Sequence, residues 1–254
     1  MAKGKNVYFI SDLHLGASYF ADPIAKERRV VRWLDTVKDD AAEIYLLGDI
    51  LDYWYEYRYV APRGFTRFFG KIAELSDSGV RITWFIGNHD IWIFDYLPNE
   101  LGVEVVDGVV EKEIMGKRFY MAHGDGVGRH QFSFRLIRSI FRNRFCQFLY
   151  SAIHPRWTVA FAHRWSRSSR MSHDDGGPVE ARVLAARDTI YGFTERYAEA
   201  HPEIDYFVYG HLHLVDDKPV GASARMIILG DWITHDSYAR FDGENLTLYR
   251  FPGE

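Results

Sequence analysis

Five short clusters of aspartate, asparagine and histidine recur along the 254-residue chain. They are Ser11-Asp12-Leu13-His14, Gly48-Asp49-Ile50-Leu51-Asp52, Gly87-Asn88-His89-Asp90, His123-Gly124-Asp125 and Gly210-His211-Leu212-His213. Asp12, His14, Asp49, Asn88, His123, His211 and His213 supply seven candidate ligands, too many for one ion and a fair number for two. Oxygen and imidazole donors without thiolate suit manganese, iron or zinc. A pair of bound cations can lower the pKa of a water and so activate it. Taken alone, each cluster is weak. An Asp-x-His pair in a chain with eleven histidines is ordinary surface, and Gly-Asn-His-Asp reads equally well as a turn. Their joint occurrence, in order, carries the weight.

Each cluster follows a strand-like run: Asn6–Ser11, Glu43–Gly48, Arg81–Gly87, Arg118–Ala122 and Asp205–Gly210, with a further run at Arg225–Gly230. Continuous apolar runs of this kind suit strands covered on both faces. In open α/β folds the carboxyl ends of the strands open onto the ligand crevice, so the clusters converge. Asp12 and His14 lie two apart, which in extended chain sends both side chains to one face, and the same holds for His211 and His213. Gly48, Gly87, Gly124 and Gly210 let the backbone turn sharply at the strand ends.

Asp22-Pro23 opens a helix with an apolar stripe of Ile24, Val30, Val31, Leu34 and Val37. A second helix, Arg63 to Ser78, closes at Gly79. This β-α-β-α-β start implies parallel strands with right-handed crossovers. Strands around Val103–Ile114 and Ser237–Phe251 lie too close together for intervening helices, so hairpins are expected there. A mostly helical insertion runs from about Gly126 to Ala200. Phe134, Ile137, Phe141, Phe145 and Phe148 recur along it at spacings of 3 and 4, with Arg135, Arg138 and Arg142 on another face. A smaller helix follows Pro155, then a loop over Met171–Pro178 and a last helix from Val179.

Hydrophobic residues at 47% and charged residues at 26% exclude disorder and coiled coil. The lone Cys146 excludes an intrachain disulfide and fits a reducing compartment. The apolar run Val7–Ile10 is too short for a signal peptide and no run approaches a membrane span, which gives a cytoplasmic expectation. Charge is distributed unevenly. Between Gly126 and His173 stand nine arginines, no lysine and no acid; the whole chain carries −4, so the remainder carries −13. The segment faces something anionic, or is folded against the acidic body.

The ordered set resembles the calcineurin-like metallophosphoesterase superfamily, whose pattern is D-x-H, G-D-x-x-D, G-N-H-[DE], a later H, and G-H-x-H. The resemblance implies a two-sheet α/β sandwich flanked by helices, here one domain over 1–254 with a helical cap insertion at about 126–200. It implies two divalent metal ions, manganese first, with iron or zinc as alternatives. Asp49 would bridge them, Asp12, His14 and His213 completing one site and Asn88, His123 and His211 the other. His89 would face the phosphate and aid the leaving group, with Asp90 orienting it.

Within the superfamily the chain is most similar to the UDP-2,3-diacylglucosamine diphosphatases, through its D-L-H-L start, Tyr53-Trp54 after Asp52, the insertion after His123-Gly124-Asp125, and Leu229-Gly230-Asp231-Trp232. Well-known members carry arginine where His89 stands here. The implied partner is a lipid-linked nucleotide sugar, handled at an anionic membrane surface by a protein peripheral to the inner face of the cytoplasmic membrane. Asn88, His89, Trp54, Arg164, Arg167 and Arg170 are the expected substrate contacts, since arginine meets a diphosphate bidentately. A related soluble phosphodiesterase on another nucleotide is the alternative. The acidic body argues against a nucleic-acid partner, and the full ligand set argues against a non-catalytic scaffold.

Overall fold

A computed structural model describes residues 5–128, 132–159 and 187–252. Its strands β1 (Asn6–Ile10), β2 (Ala41–Leu46), β3 (Arg81–Phe85) and β4 (Glu104–Val106) pair in parallel, and an antiparallel hairpin, β10 (Ser237–Phe241) and β11 (Leu246–Arg250), extends the sheet beyond β1. A second sheet has the order β5 (Val110–Ile114), β6 (Lys117–Ala122), β7 (Tyr206–Tyr209), β9 (Ala224–Leu229), β8 (Val215–Val220). There β6, β7 and β9 run parallel, while β5 and β8 are antiparallel edges.

The layering follows from side-chain alternation. In β1, Val7 and Phe9 enter the core between the sheets, while Tyr8 and Ile10 enter the core under the helices. In β9, Ile227 and Leu229 face the inter-sheet core, Met226 and Ile228 the opposite face. Strands buried on both faces have no polar face to show, hence the continuous apolar runs. Phe9 ties the two sheets together, stacked 5.1 Å from Tyr45 and 5.6 Å from Phe119.

Helices α1 (Pro23–Val37), α2 (Thr66–Asp77) and α3 (Tyr96–Leu101) cover the first sheet. Asp22 caps α1, its carboxylate accepting from Ala25 N–H at 2.9 Å. The α1 stripe holds at Val30, Leu34 and Val37 with Trp33 added, while Ile24 is exposed. Thr66 has no capping side chain before it; Glu27 of α1 instead accepts from the N–H groups of Arg67 and Phe68.

The expected hairpin at Val103–Ile114 is corrected. After β4 the chain leaves the first sheet, and β5 opens the second. The hairpin is β5–β6, closed by Met115 and Gly116, both at positive φ, which is the two-residue geometry that suits strand twist. At Ser237–Phe251 a hairpin is present.

The insertion is helical but not continuous along its apolar stripe. Helix α4 (Phe132–Arg142) stops where Asn143 caps α5 (Arg144–Ser151), its side chain accepting from the N–H groups of Phe145 and Cys146. The chain turns there, so the stripe divides. Phe141 packs toward the body, whereas Phe145 and Phe148 are 67% and 68% exposed. Residues 155–159 form a helical turn, and a π-helical stretch (Arg187–Tyr191) leads into α6 (Gly192–Ala200), which covers the second sheet. The Met171–Pro178 loop and the start of the expected last helix at Val179 lie outside the described residues.

Two of the nine arginines take the second course open to the basic segment. Arg138 donates from Nε to buried Asp125 at 3.2 Å, and Arg142 grips Asp107 through Nε and Nη2. Both are spent against the acidic body and do not face outward.

Candidate metal centre

The five clusters meet at the carboxyl ends of β1, β2, β3, β6 and β7. Side-chain donors of Asp12, His14 and His213 lie within 4.8 Å of one another, as do those of Asp49, His123 and His211, and of His14, Asp49 and His89. Asn88 joins the second group, its Oδ1 3.2 Å from Nε2 of His123. Asp49 stands between groups. Its Oδ2 is 3.7 Å from Nε2 of His14 and 3.4 Å from Nε2 of His123.

The backbone achieves this in an unexpected way. Asp12, His14, Asp49, His211 and His213 all have φ between 45° and 69°, a left-handed conformation that is uncommon outside glycine and that Asp and His adopt more readily than most residues. They account for five of the eight non-glycine residues with positive φ among those described. The extended-chain expectation for Asp12/His14 and His211/His213 is therefore corrected. Asp12 and His14 do share a group, but His211 and His213 part company and enter different ones.

Glycine is required here for close approach as much as for turning. A Cβ on Gly87 would strike the amide and carboxylate of Asp49, and one on Gly210 would sit 2.6 Å from Asp12 Oδ2.

Behind the donors stands a layer of acceptors. Each aims a ring nitrogen by holding the other. His123 Nδ1 is 2.8 Å from the Leu47 carbonyl, His14 Nδ1 is 3.2 Å from Asp52 Oδ1, and His213 Nδ1 is 3.1 Å from Asp231 Oδ2. His89 Nδ1 lies 3.0 Å from the main-chain carbonyl of Asp52. Asp90 was expected to orient His89, and here the structure corrects the sequence reading. The Asp90 carboxylate accepts from the N–H groups of Gly87 and Ile50 and from Trp84 Nε1. It ties the loop after β2 to the loop after β3, and Asp52 supports His89. Asp52 and Asp231 are the functional positions missed in the sequence; the second aspartate of Gly48-Asp49-x-x-Asp52 was the available signal.

Trp54, an expected substrate contact, is fully buried. Its ring packs on Phe65, Phe69 and Tyr96, and Nε1 donates to Glu56 at 2.9 Å. It is a core residue because Tyr53, its neighbour, takes the face toward the insertion. Arg164, Arg167 and Arg170 lie outside the described residues.

Divalent cations fit this donor set. Asp12 Oδ1 is buried with no hydrogen-bond donor among the described residues, yet ring nitrogens of His213 and His14 face it at 3.4 and 3.9 Å. A buried carboxylate oxygen so placed requires a cation or a proton.

A family model for the calcineurin-like phosphoesterases matches residues 5–215. The chain belongs to that family. It is 44% identical over 251 residues to a UDP-2,3-diacylglucosamine hydrolase of Porphyromonas gingivalis, covering 95% of this chain and 96% of the relative. It is 27% identical over 243 residues to a protein of the same name from Neisseria meningitidis, covering 94% and 95%. Among solved structures, a phosphoesterase from E. coli aligns with TM-score 0.47 and 15% identity over 96% of this chain and 92% of that one. The protein is thus a metal-dependent phosphoesterase, an α/β sandwich of two sheets with divalent metals as its cofactors.

In this phosphoesterase the electrostatics are arranged for cations. Burial disfavours charge on Asp12 and Asp49, yet the surrounding histidines hold both below the ordinary carboxylate range. For His123, burial opposes charge but Asp49 and Asp12 outweigh it and push the imidazole up to about 10. Its neighbour His211 goes the other way, down to about 4, through burial and the charge on His123. With Nδ1–H on the Leu47 carbonyl, His123 carries a second proton on Nε2, where two acceptors, Asp49 Oδ2 and Asn88 Oδ1, face it. A metal ion entering there must displace it. Titrating chelator-treated protein with Mn²⁺ near pH 8 should therefore release about one proton for the site containing His123, read by calorimetry in buffers of different ionisation enthalpy. Below pH 10 affinity should rise with pH. Metal uptake with no proton release would mean that His123 is neutral beforehand.

Proposed function

We propose that this phosphoesterase hydrolyses UDP-2,3-diacylglucosamine to UMP and 2,3-diacylglucosamine 1-phosphate. The observation that carries the reading is the end-to-end likeness to the P. gingivalis hydrolase, an alignment long enough to include the insertion as well as the metal centre. The metals proposed are two manganese ions, with Asp12, His14 and His213 at one, Asn88, His123 and His211 at the other, and Asp49 shared. Such ions, when bound, lower the pKa of the attacking water and neutralise phosphoryl charge.

The chain's own groups do the rest. Asp12, His14, Asp49 and His123 are almost fully buried, while the His89 and His213 side chains are 19% and 24% exposed. The diphosphate therefore approaches over His89, His213 and the half-buried Asn88. With Nδ1–H donating to the Asp52 carbonyl, His89 acts as proton donor from its imidazolium form, in which Nε2–H turns to the phosphoryl group; a positioned proton donor is worth about 10²–10⁴ in rate. His89→Ala should accordingly lower turnover by about 10²-fold with metal content unchanged by elemental analysis. Loss of one metal equivalent in step with activity would make His89 a ligand instead.

The insertion is proposed as a cap that meets the acyl chains and an anionic membrane. Across α4, α5 and the turn after Pro155, Ile137, Ile140, Phe145, Phe148, Leu149 and Trp157 are exposed, at 43% to 69%. Arg144 and Arg156 are exposed among them, with no acid in the segment. Among the described residues no helix is long and apolar enough to cross a membrane, so contact would be interfacial. Vesicles containing phosphatidylglycerol should bind the protein at low salt, and Arg144→Gln and Arg156→Gln should each cost about 1 kcal/mol. Indifference of the wild-type protein to such vesicles would remove the membrane from the proposal.

A hydrolysis panel of UDP-2,3-diacylglucosamine, aryl phosphodiesters and DNA, read by mass spectrometry, tests the substrate against its alternatives.

A further inference from the structure

Asp52 serves two histidines at once, His14 through its carboxylate and His89 through its main-chain carbonyl. That carbonyl belongs to the planar peptide shared with Tyr53 N, so the two move as one unit. Downstream, side chains alternate. Trp54 and Glu56 turn inward, where the Glu56 carboxylate accepts from Trp54 Nε1 and from the N–H groups of Phe94, Asp95 and Tyr96. Tyr53, Tyr55 and Tyr57 turn to the insertion.

All three hydroxyls are engaged there. The Tyr53 hydroxyl is 3.1 Å from that of Tyr150, Tyr55 donates to the Gln147 carbonyl at 2.6 Å, and the Tyr57 hydroxyl is 2.7 Å from Thr158 Oγ1. Trp92, three residues past His89, bridges to Tyr55 in the backbone, donates from Nε1 to the Phe141 carbonyl at 2.9 Å, and holds its ring 4.7 Å from that of Tyr150. The two segments that leave the metal centre, 52–57 and 89–94, thus lie side by side and carry the insertion between them. Apolar ring contacts alone tolerate sliding, whereas directional hydrogen bonds fix one register.

We propose that Tyr53 and Tyr150 are a positioning pair: the seating of α5 on the Tyr53–Tyr57 strip sets the Asp52 carbonyl, and with it the orientation of His89 toward the phosphoryl group. The insertion then aligns the chemistry as well as binding substrate. This rests on the phosphoesterase reading and on the phosphoryl-facing role proposed for His89, and not on the identity of the lipid.

The test uses metal-loaded, full-length protein and bis(p-nitrophenyl) phosphate, which has no acyl chain. Tyr53→Phe and Tyr150→Phe should each lower kcat about tenfold, since small misplacements of a reacting group are costly. KM and metal content should be unchanged. The double variant should be no worse than either single one, the mark of a coupled pair. Tyr249→Phe, which removes a hydroxyl bonded to Arg240 on the far hairpin, should keep wild-type kcat and control for loss of a tyrosine hydroxyl. In protein loaded with diamagnetic Zn²⁺, the imidazole nitrogen resonances of His89 should shift in both pair variants while those of His123 stay. Wild-type kcat in Tyr53→Phe and Tyr150→Phe with unmoved His89 resonances would overturn the proposal, as would additive losses in the double variant. Should the lipid prove not to be the substrate, the aryl diester and the resonances still decide this point.

Discussion

Asp49→Ala should abolish turnover, by about 10³-fold or more, and should empty both metal positions together. The expectation comes from one oxygen. Asp49 Oδ2 faces His14 on one side and His123 on the other, and in the proposed arrangement it is the one ligand shared by both ions. Several kcal/mol of phosphoryl stabilisation depend on paired cations, and each 1.36 kcal/mol is tenfold in rate. The loss should also be local. Asp49 Oδ1 accepts from His89 N–H at 2.8 Å, but its neighbours Ile50 and Leu51 are anchored separately by Asp90. Asp52→Ala, by contrast, should retain metal at reduced affinity, because it removes the carboxylate that aims His14 and keeps the main-chain carbonyl that holds His89; losses of 10–100-fold are usual for such supporting groups. Elemental analysis beside kcat separates the two variants. Asp49→Ala protein that binds two metal equivalents and turns over would refute the shared-ligand arrangement.

The second large effect concerns the acyl chains. Deacylated UDP-glucosamine should be hydrolysed with kcat/KM lower by at least about 10²-fold, since burying each methylene is worth about 0.8 kcal/mol and only four or five suffice. Part of the loss should fall on kcat, because binding energy from a remote part of a substrate is used to align the reacting part. Kinetics on synthetic acylated and deacylated substrates at equal metal loading give the ratio. Equal kcat/KM would leave the exposed apolar face of α4 and α5 without a lipid to read, and would point to a soluble nucleotide-sugar phosphodiesterase.

Much of this was legible in the sequence because strands and ligands carry independent signals. Val7 to Ile10 is apolar on both faces, so it marks a covered strand, and Asp12 and His14 follow within four residues. The same juxtaposition at Asp49, Asn88, His123 and His211 placed the centre. Conformation at the ligands was not legible. Left-handed backbone at Asp12, His14 and His213 is imposed by the surrounding loops, and local propensity at a non-glycine residue points away from it. For that reason spacing alone puts His211 and His213 on one face, whereas the family resemblance assigns them to two sites and the structure parts them in the same way. Supporting residues were hidden for another reason: Asp52 and Asp231 act through distant partners, His14, His89 and His213, that sequence spacing does not connect. The insertion misled where a helical period ran through a helix end. Asn143 begins a new helix, so spacing that extends unbroken from Phe134 to Phe148 describes two directions in space.

The central claim is hydrolysis at the nucleotide phosphorus of UDP-2,3-diacylglucosamine. Its most direct measurement is a single-turnover reaction of metal-loaded protein in ¹⁸O-water, with both products analysed by mass spectrometry. The expected result is one ¹⁸O in UMP and none in the diacylglucosamine 1-phosphate. Label in the lipid phosphate, or no cleavage of this substrate by fully metallated protein, would contradict it.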